Sequence, residues 1–281
     1  MIISVASGKG GTGKTTVATN LAFSVEDATI LDCDVEAPNA HLFLKPKIKD
    51  VIDAYVTVPK VDKKRCNLCR KCMDICQYSA IAVIGESILV FPELCHSCMG
   101  CFEVCPEEAL IKDKRLIGTV ESGKSKNLNF IRGVLKTGEA MSPPLIKKVR
   151  EHQRKKINII DAPPGTSCPV ISSMVGADFV LMVTEPTPFG MHDLKLGIGA
   201  VKLLNIPCGI VINRAGRGDN EVKDYAEKEN IPVLMEIPFD RKIAELYSRG
   251  EILAEDPSWK KKFESLFRGI SDLIAKEEAS L

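Results

Sequence analysis

The chain has 281 residues, of which 45% are apolar and 27% are charged, an ordinary composition for a folded protein of one or two domains. The net charge of +1 leaves no positive excess for nonspecific binding to nucleic acid. The N-terminus lacks a basic and apolar leader, and no apolar run approaches the roughly 20 residues of a membrane span. Composition therefore argues for a cytoplasmic protein and against secreted, membrane-spanning and nucleic-acid-binding classes.

Strand and helix patterns alternate from the start of the chain. The apolar run Ile2–Ala6 predicts a strand, Thr15–Phe23 has helical spacing, and Thr29–Cys33 predicts a second buried strand. From about 60 to 114 the composition changes to Cys, Lys and short β-like segments, after which the alternation resumes. Later strands are predicted at Ile157–Ile160, Phe179–Val183, Gly209–Ile212 and Pro232–Met235, and later helices at Pro144–His152, His192–Leu204, Asn220–Glu229 and Arg241–Ser248.

This alternation predicts an α/β fold with a doubly wound, mostly parallel sheet that is covered by helices on both faces. The central segment interrupts the pattern, which suggests that a smaller α+β domain is inserted into the sheet domain. We therefore divide the chain into a first part of the sheet domain (1–57), an inserted domain (58–114) and a second part of the sheet domain (115–281).

The glycine-rich turn after the first strand fits the phosphate-binding pattern G-x-x-x-x-G-K-[ST], in the strand-to-helix context that this motif requires. Glycines let the backbone N–H groups approach the phosphates, and the helix adds its positive N-terminal end. Lys14 is expected to reach the β- and γ-phosphates, the Thr15 hydroxyl to bind Mg²⁺, and Thr16 to contact the α-phosphate. A chance glycine-rich turn is the alternative. The predicted nucleotide-binding residues here are Gly8, Lys9, Gly10, Gly11, Thr12, Gly13, Lys14, Thr15 and Thr16.

The sequence GKGGTGKTT resembles the deviant Walker A motif of the MinD, ParA, Mrp and nitrogenase iron protein superfamily, and Asp32, Asp34 and Asp161 follow strands as its switch carboxylates do. The resemblance implies that Lys9 contacts nucleotide across a dimer interface. It also implies that Asp34 orients the attacking water, that Asp32 and Asp161 support Mg²⁺, and that the Gly165 amide senses the γ-phosphate. Taken singly, Lys9 could face solvent and each Asp could cap a helix. The predicted catalytic residues are Lys9, Lys14 and Asp34.

The same resemblance assigns the base-recognition residues. Asn213 follows a late strand at the adenine-contacting position, and Pro238 lies in an Ile-Pro-x-Asp segment that is near the base in the family. ATP is the nucleotide that the family implies, and the guanine-selective N-K-x-D pattern is absent at this position. An Asn after a strand is otherwise often a turn residue.

Eight of the 11 cysteines lie in two sets that repeat after 29 residues, and each set reads C-x2-C-x2-C-x3-C. This is the bacterial ferredoxin pattern for 4Fe–4S clusters, in which the fourth cysteine ligates the other cluster. Zinc also accepts paired cysteines and is the alternative metal. Gln77 replaces the proline that usually follows the first set, whereas Pro106 follows the second. The predicted ligands are Cys66, Cys69, Cys72 and Cys105 for one cluster and Cys95, Cys98, Cys101 and Cys76 for the other.

Three cysteines lie outside these sets. Cys33 and Cys208 belong to strand patterns and are predicted as small core residues. Cys168 lies seven residues after Asp161, the offset of a cluster ligand in the nitrogenase iron protein, but residues 107–167 lack the second cysteine that such a shared cluster needs. An apolar helical stripe begins at Trp259, and its mixed-charge polar face favours docking onto the core over membrane binding.

The combined patterns resemble a MinD/Mrp-type P-loop ATPase that carries an inserted two-cluster ferredoxin domain. The resemblance implies ATP, Mg²⁺ and two 4Fe–4S clusters as cofactors. It further implies a homodimer, or a heterodimer with a sister ATPase, and a redox or apo-iron–sulfur protein as a partner. Our leading hypothesis is a nucleotide switch coupled to electron transfer through the clusters. The alternatives are an Mrp-like cluster carrier or scaffold, and a MinD/ParA-type positioning ATPase whose insert senses redox state.

Overall fold

A computed structural model describes residues 1–216 and 220–279 of the chain. The strands are β1 (Ile2–Ala6), β2 (Thr29–Asp32), β3 (Lys47–Val61), β4 (Ile81–Ile84), β5 (Ser87–Val90), β6 (Leu110–Ser125), β7 (Leu128–Leu135), β8 (Asn158–Asp161), β9 (Phe179–Thr184), β10 (Cys208–Ala215) and β11 (Val233–Pro238). The helices are α1 (Lys14–Ser24), α2 (Ala40–Leu44), α3 (Lys71–Asp74), α4 (Gly100–Glu103), α5 (Pro143–Arg150), α6 (Cys168–Met174), α7 (Pro188–Leu203), α8 (Asn220–Lys228), α9 (Arg241–Ser248) and α10 (Pro257–Glu278).

Within the described residues, nine strands form one sheet in the order β11-β10-β9-β1-β8-β2-β7-β6-β3. The strands from β11 to β7 run parallel, and β6 and β3 are added antiparallel at one edge. Strands β2, β8 and β9 are buried along their whole length, as expected of apolar strands that helices cover on both faces. The predicted α/β fold with a mostly parallel sheet is confirmed.

Helices cover both faces of this sheet. On one face, α1 and α10 pack against the strands through side chains such as Leu21, Phe263 and Ile270, all fully buried. On the other face, α6, α7 and α8 contribute a second cluster that includes Leu194 and Ile198. Burial of each such side chain stabilises the fold by about 1.5–3 kcal/mol. The predicted docking of the C-terminal stripe onto the core is therefore confirmed.

Helix α7 begins earlier than the predicted start at His192. The Thr187 hydroxyl accepts a hydrogen bond from the N–H of Gly190 at 3.0 Å, and Pro188 occupies the first turn, where a missing N–H costs little. Helix α6, a short helix of seven residues, has no counterpart among the predicted elements. Within residues 1–216 and 220–279, no helix is both long and apolar enough to cross a bilayer.

The cysteine-rich segment is carried by two long strands. β3 and β6 pair antiparallel from Lys47 opposite Lys124 to Val61 opposite Leu110, and they hold residues 62–109 at the far end of this ribbon. That segment contains the β4–β5 hairpin and the short helices α3 and α4. The boundaries expected at 57/58 and 114/115 fall inside these continuous strands, which also belong to the main sheet. The division into three segments stays a prediction.

Candidate nucleotide site and cysteine pockets

A cleft of about 590 Å³ opens at the carboxyl ends of the parallel strands, where the loop between β1 and α1 passes. Open α/β sheets bind ligands at this edge. Among the predicted residues, the cleft lining includes Lys9, Gly10, Gly11, Gly13, Lys14, Thr15, Thr16, Asp34, Asn213 and Pro238. Gly8, Thr12, Gly165, Asp32 and Asp161 lie outside that lining.

Two glycines of the loop are needed because other groups approach it closely. A Cβ atom at Gly8 would lie 2.2 Å from the carbonyl oxygen of Asp193, and one at Gly13, where φ is +91°, would lie 2.1 Å from the Asn213 Nδ2. That Nδ2 donates a hydrogen bond to the Thr12 carbonyl at 2.8 Å. Asn213 therefore holds the phosphate-binding loop in place in addition to lining the cleft.

Lys14 and Asp161 form a buried ion pair beneath the loop. The Lys14 Nζ donates to the Asp161 Oδ1 at 2.7 Å, and the two side chains are 7% and 0% exposed. Burial disfavours the charged ammonium, but the adjacent Asp161 carboxylate outweighs it and raises the pKa of Lys14. The Asp161 Oδ2 is buried and has no hydrogen-bond partner among the described residues. A free carboxylate oxygen at this position fits Mg²⁺ or a water of its shell.

Asp32 lies beside Asp161 in the register of β2 and β8. Its carboxyl oxygens accept hydrogen bonds from N–H groups of the following loop, those of Asp34 at 3.2 Å, Asn39 at 3.1 Å and Ala40 at 3.0 Å. Burial, followed by the charge of Asp161, raises the pKa of Asp32 to about 8. Burial also raises the pKa of Asp34, which lines the cleft. The fold thus places the two predicted Mg²⁺ carboxylates side by side, with Lys14 bound to one of them, although their assignment as ligands stays a prediction.

Glu185 is a residue of this site that the sequence analysis did not identify. Its carboxylate lies 2.5 Å from the Lys9 Nζ and 2.7 Å from the Arg214 Nη1, and its side chain is 10% exposed. Burial opposes its ionisation, but the hydrogen bond and charge of Lys9, with help from Arg214, keep the pKa of Glu185 below its ordinary value. The sequence does contain one signal for Glu185. This residue directly follows the apolar strand β9, much as Asp161 is the last residue of β8.

Comparison with known proteins identifies the family of this nucleotide site. Residues 3–253 match the family CbiA, the CobQ/CobB/MinD/ParA nucleotide binding domain. The chain belongs to this family. It is therefore a nucleotide-binding P-loop ATPase of the MinD/ParA type.

Individual relatives match the chain over most of its length. An uncharacterized protein of Methanocaldococcus jannaschii is 34% identical over 265 residues, which cover 89% of the chain and 90% of that protein. The iron-sulfur cluster carrier protein of Pyrococcus abyssi is 25% identical over 270 residues, covering 88% of the chain and 77% of the relative. Among solved structures, the septum site-determining protein MinD of Pyrococcus horikoshii, complexed with Mg-ADP, has a TM-score of 0.58 at 21% identity and covers 94% and 93% of the two chains. The solved MinD structure supports the shared fold.

The cysteines of this MinD/ParA-type ATPase line two small pockets at the end of the β3–β6 ribbon. The pocket volumes are about 20 and 60 Å³. Cys66, Cys69, Cys72 and Cys105 line the first pocket, and Cys76, Cys95, Cys98 and Cys101 line the second. Each pocket thus takes three cysteines from one sequence set and the fourth from the other. Within the described residues, no three His, Cys, Asp or Glu side chains are grouped tightly enough to hold a single metal ion.

The backbone around the two pockets repeats as the sequence does. Leu68, Arg70 and Ser79 have φ values of 58°, 66° and 53°, and the residues 29 positions later, Ser97, Met99 and Glu108, have 56°, 66° and 46°. Left-handed conformations at such residues cost about 1 kcal/mol or more each and persist where the surroundings impose them. The duplicated loops therefore share one strained conformation, with α3 and α4 in equivalent places.

Backbone N–H groups are directed at several of the sulfurs. The N–H of Ala80 points at the Cys76 Sγ at 3.4 Å, and the equivalent N–H of Ala109 points at the Cys105 Sγ at 3.3 Å. Hydrogen bonds to sulfur are among the means by which proteins tune iron–sulfur clusters. Four sulfur ligands with nearby N–H donors are the chemistry that a 4Fe–4S cluster requires of its site.

Among the positions at which the two repeats differ, one pair of residues makes contact in both. Beside the second pocket, the Tyr78 and His96 rings stack with centroids 3.6 Å apart and planes 5° apart. At the equivalent positions beside the first pocket, the Asn67 Nδ2 donates to the Glu107 Oε1 at 3.0 Å. An aromatic pair thus stands where the other repeat has a polar pair.

The remaining cysteines occupy three different environments. Cys33 is fully buried, and burial raises the pKa of its thiol, in agreement with its predicted core position. Cys208 begins β10, is partly buried, and has a pKa raised by burial to about 11. Cys168 is exposed at the start of α6.

Proposed function

We propose that the chain is an ATP-binding iron–sulfur protein that couples a nucleotide-driven switch to electron transfer through two 4Fe–4S clusters. The observation that carries the proposal is the grouping of the cysteines into two sets of four, with the exchange of the fourth ligand that a two-cluster ferredoxin uses. The ribbon that carries these pockets is part of the sheet that carries the nucleotide cleft.

The cysteine pockets would hold the clusters through eight thiolates. When bound, the clusters supply one-electron redox chemistry between a reduced donor protein and an oxidised acceptor protein. Soft thiolate ligands suit iron–sulfur clusters. Burial raises the pKa values of Cys72 and Cys95, and raises that of Cys101 to about 11, so these thiols lose protons when they ligate a cluster. The surrounding N–H groups then stabilise the thiolates.

In the nucleotide cleft, Lys14 would bind the β- and γ-phosphates of ATP, and Thr15, Asp32 and Asp161 would hold Mg²⁺ or its waters. Asp34 would orient the attacking water. The Gly165 N–H donates to the Ser7 carbonyl at 3.0 Å and would leave that carbonyl in order to sense the γ-phosphate. Lys9 would reach the nucleotide of a second subunit, either a copy of this chain or a sister ATPase. Since Lys9 contacts Glu185 of its own chain, dimer formation requires Lys9 to exchange partners.

The test is a redox titration of the anaerobically purified protein, followed by EPR, with Mg²⁺ and either ADP or a nonhydrolysable ATP analogue. We expect about eight irons per chain and a cluster potential or EPR spectrum that differs between the two nucleotides. Zinc in place of iron would remove the electron-transfer function. Iron with identical titrations would leave two clusters that the nucleotide does not affect, and would contradict the coupling.

A second candidate function is delivery of iron–sulfur clusters to other proteins. Relatives of this chain in Pyrococcus abyssi, Pyrococcus horikoshii and Aquifex aeolicus are named iron-sulfur cluster carrier proteins, at 25%, 26% and 23% identity. A carrier transfers its clusters to an apo-protein within the time of an assay. Transfer of iron and sulfide from the purified protein to an apo-ferredoxin would support this function, and clusters that survive repeated redox cycles without transfer would oppose it.

A further inference from the structure

A chain of contacts connects the second cysteine pocket to the loop that carries Asp34. It begins at Arg115 on β6, whose Nη2 donates to the Cys95 carbonyl at 3.3 Å. The Nη1 of the same guanidinium pairs with the Glu139 carboxylate. The Arg115 and Glu139 side chains are only 11% and 3% exposed. The ion pair is therefore largely shielded from water, which strengthens the attraction between the two charged groups.

The chain continues through the segment after β7. The Glu139 Oε1 accepts the N–H of Met141 at 3.2 Å, and the neighbouring Ser142 hydroxyl donates to the Glu36 Oε1 at 2.8 Å. Ser142 is buried. The segment 135–142 is thus attached to Arg115 on β6, and so to Cys95, through Glu139. It is attached to the loop after β2 through Ser142.

A backbone contact reinforces the connection at the nucleotide end. The N–H of Leu135 donates to the Val35 carbonyl at 2.9 Å, and the N–H of Lys136 donates to the Ile117 carbonyl at 2.9 Å. Val35 lies between Asp34, which lines the nucleotide cleft, and Glu36. A shift of this loop on nucleotide binding would displace Glu36 and Val35 together, and therefore the segment that holds Arg115.

The contact is made with one cysteine set. Cys95 and its repeat equivalent Cys66 each donate their N–H to a nearby carbonyl, that of Pro92 and that of Asp62, both at 3.1 Å. Of the two, Cys95 also accepts, at its carbonyl, the hydrogen bond from Arg115 of the main sheet. We propose that Arg115, Glu139, Ser142 and Glu36 are positioning residues that transmit the nucleotide state to the second cysteine pocket in preference to the first. This inference rests on the proposed coupling and names the route and the pocket that responds.

Hydrogen exchange of the complete, anaerobically purified protein tests the inference without an activity assay. Exchange is compared between Mg-ADP and a nonhydrolysable ATP analogue with Mg²⁺ in peptides that cover residues 95–101 and 66–72. We expect the nucleotide to change exchange rates about fivefold or more in 95–101, since coupling energies are typically 1–3 kcal/mol, with a smaller change in 66–72. Equal changes in the two peptides, or none in either, would overturn the inference.

Two mild variants test the route itself. Ser142→Ala removes the hydroxyl that contacts Glu36, and Glu36→Ala removes the carboxylate that accepts its hydrogen bond. Both are expected to bind nucleotide as the unaltered protein does and to lose most of the nucleotide effect on 95–101. Retention of the full effect in both variants would overturn the route.

Arg115→Gln tests the cysteine end, and Arg132→Gln is its matched control. Arg132 forms a similar pair with Glu121 across β7 and β6, at 2.7 Å and with 18% and 17% exposure. It lies opposite Asp32 in the register of β2 and β7 and does not line either cysteine pocket. Only Arg115→Gln should abolish the response in 95–101. Exchange can be measured whichever metal the cysteines hold. Iron analysis and the redox titration of the unaltered protein therefore test the proposed function separately.

Discussion

The buried carboxyl group of Asp32 makes the stability of the nucleotide-free protein depend on pH. Its pKa is raised from 3.8 to about 8, chiefly by burial and next by Asp161. The folded protein therefore keeps a proton that the unfolded chain releases, so the associated stability is present below about pH 4 and is lost as pH rises to about 8. We expect the free energy of unfolding to fall between pH 6 and 8, by up to about 1.4 kcal/mol per pH unit.

The measurement is the urea unfolding midpoint of the nucleotide-free protein across that interval. Asp32→Asn is the control, since an amide cannot titrate there, and its midpoint should change less with pH. A midpoint that is constant, or that rises toward pH 8, would contradict the raised pKa.

Lys14 combines a structural and a functional role, and two variants separate them. Lys14→Ala should abolish nucleotide binding and also destabilise the protein by about 3–5 kcal/mol, because the buried Asp161 carboxylate loses its partner. Adding Asp161→Asn removes the uncompensated charge, so the double variant should recover part of that stability without recovering nucleotide binding. Calorimetric titration with Mg-ATP and urea unfolding measure the two quantities. Nucleotide binding by the double variant would show that Lys14 does not bind the phosphates.

At the scale of elements, local patterns determine which parts of the fold are predictable. The buried parallel strands and the phosphate-binding loop each have a signature within about ten residues, and the sequence predicts them. The long strands β3 and β6 lack one, because Lys112, Asp113, Lys114 and Arg115 follow one another in a ribbon with exposed positions. The contacts of Arg115 and Glu185 join residues that are far apart in the chain. A single sequence carries no local pattern from which such contacts can be predicted.

Because the cysteine segment lies at the end of a ribbon, we expect the proposed cluster sites and the nucleotide site to be lost separately. Cys69→Ser removes a ligand of the first pocket, and its repeat equivalent Cys98→Ser removes one of the second. Each variant should lose about half of the iron, or about four atoms per chain, while it binds Mg-ATP as before. Metal analysis and calorimetry check these outcomes. Loss of nucleotide binding in both variants would show that the cysteine segment and the sheet fold as one unit.

At the scale of the whole molecule, the Lys9–Glu185 contact opposes the proposed dimer. The Lys9 Nζ lies 2.5 Å from the Glu185 carboxylate, and Arg214 pairs with the same group at 2.7 Å. A lysine that serves a partner's nucleotide must first leave this carboxylate, so part of the association free energy is spent in breaking the contact. Weakening the contact should therefore favour association in the presence of ATP.

Glu185→Gln removes the charge that attracts Lys9 and keeps the size of the side chain. Because partly exposed ion pairs contribute up to about 1 kcal/mol, we expect ATP-dependent association to strengthen by up to about fivefold. Sedimentation measurements with a nonhydrolysable ATP analogue give the association constant. Lys9→Ala is the control, which should bind nucleotide and fail to associate. If Glu185→Gln associates more weakly than the unaltered protein, Glu185 stabilises the dimer, and Lys9 reaches the partner's nucleotide with this contact intact.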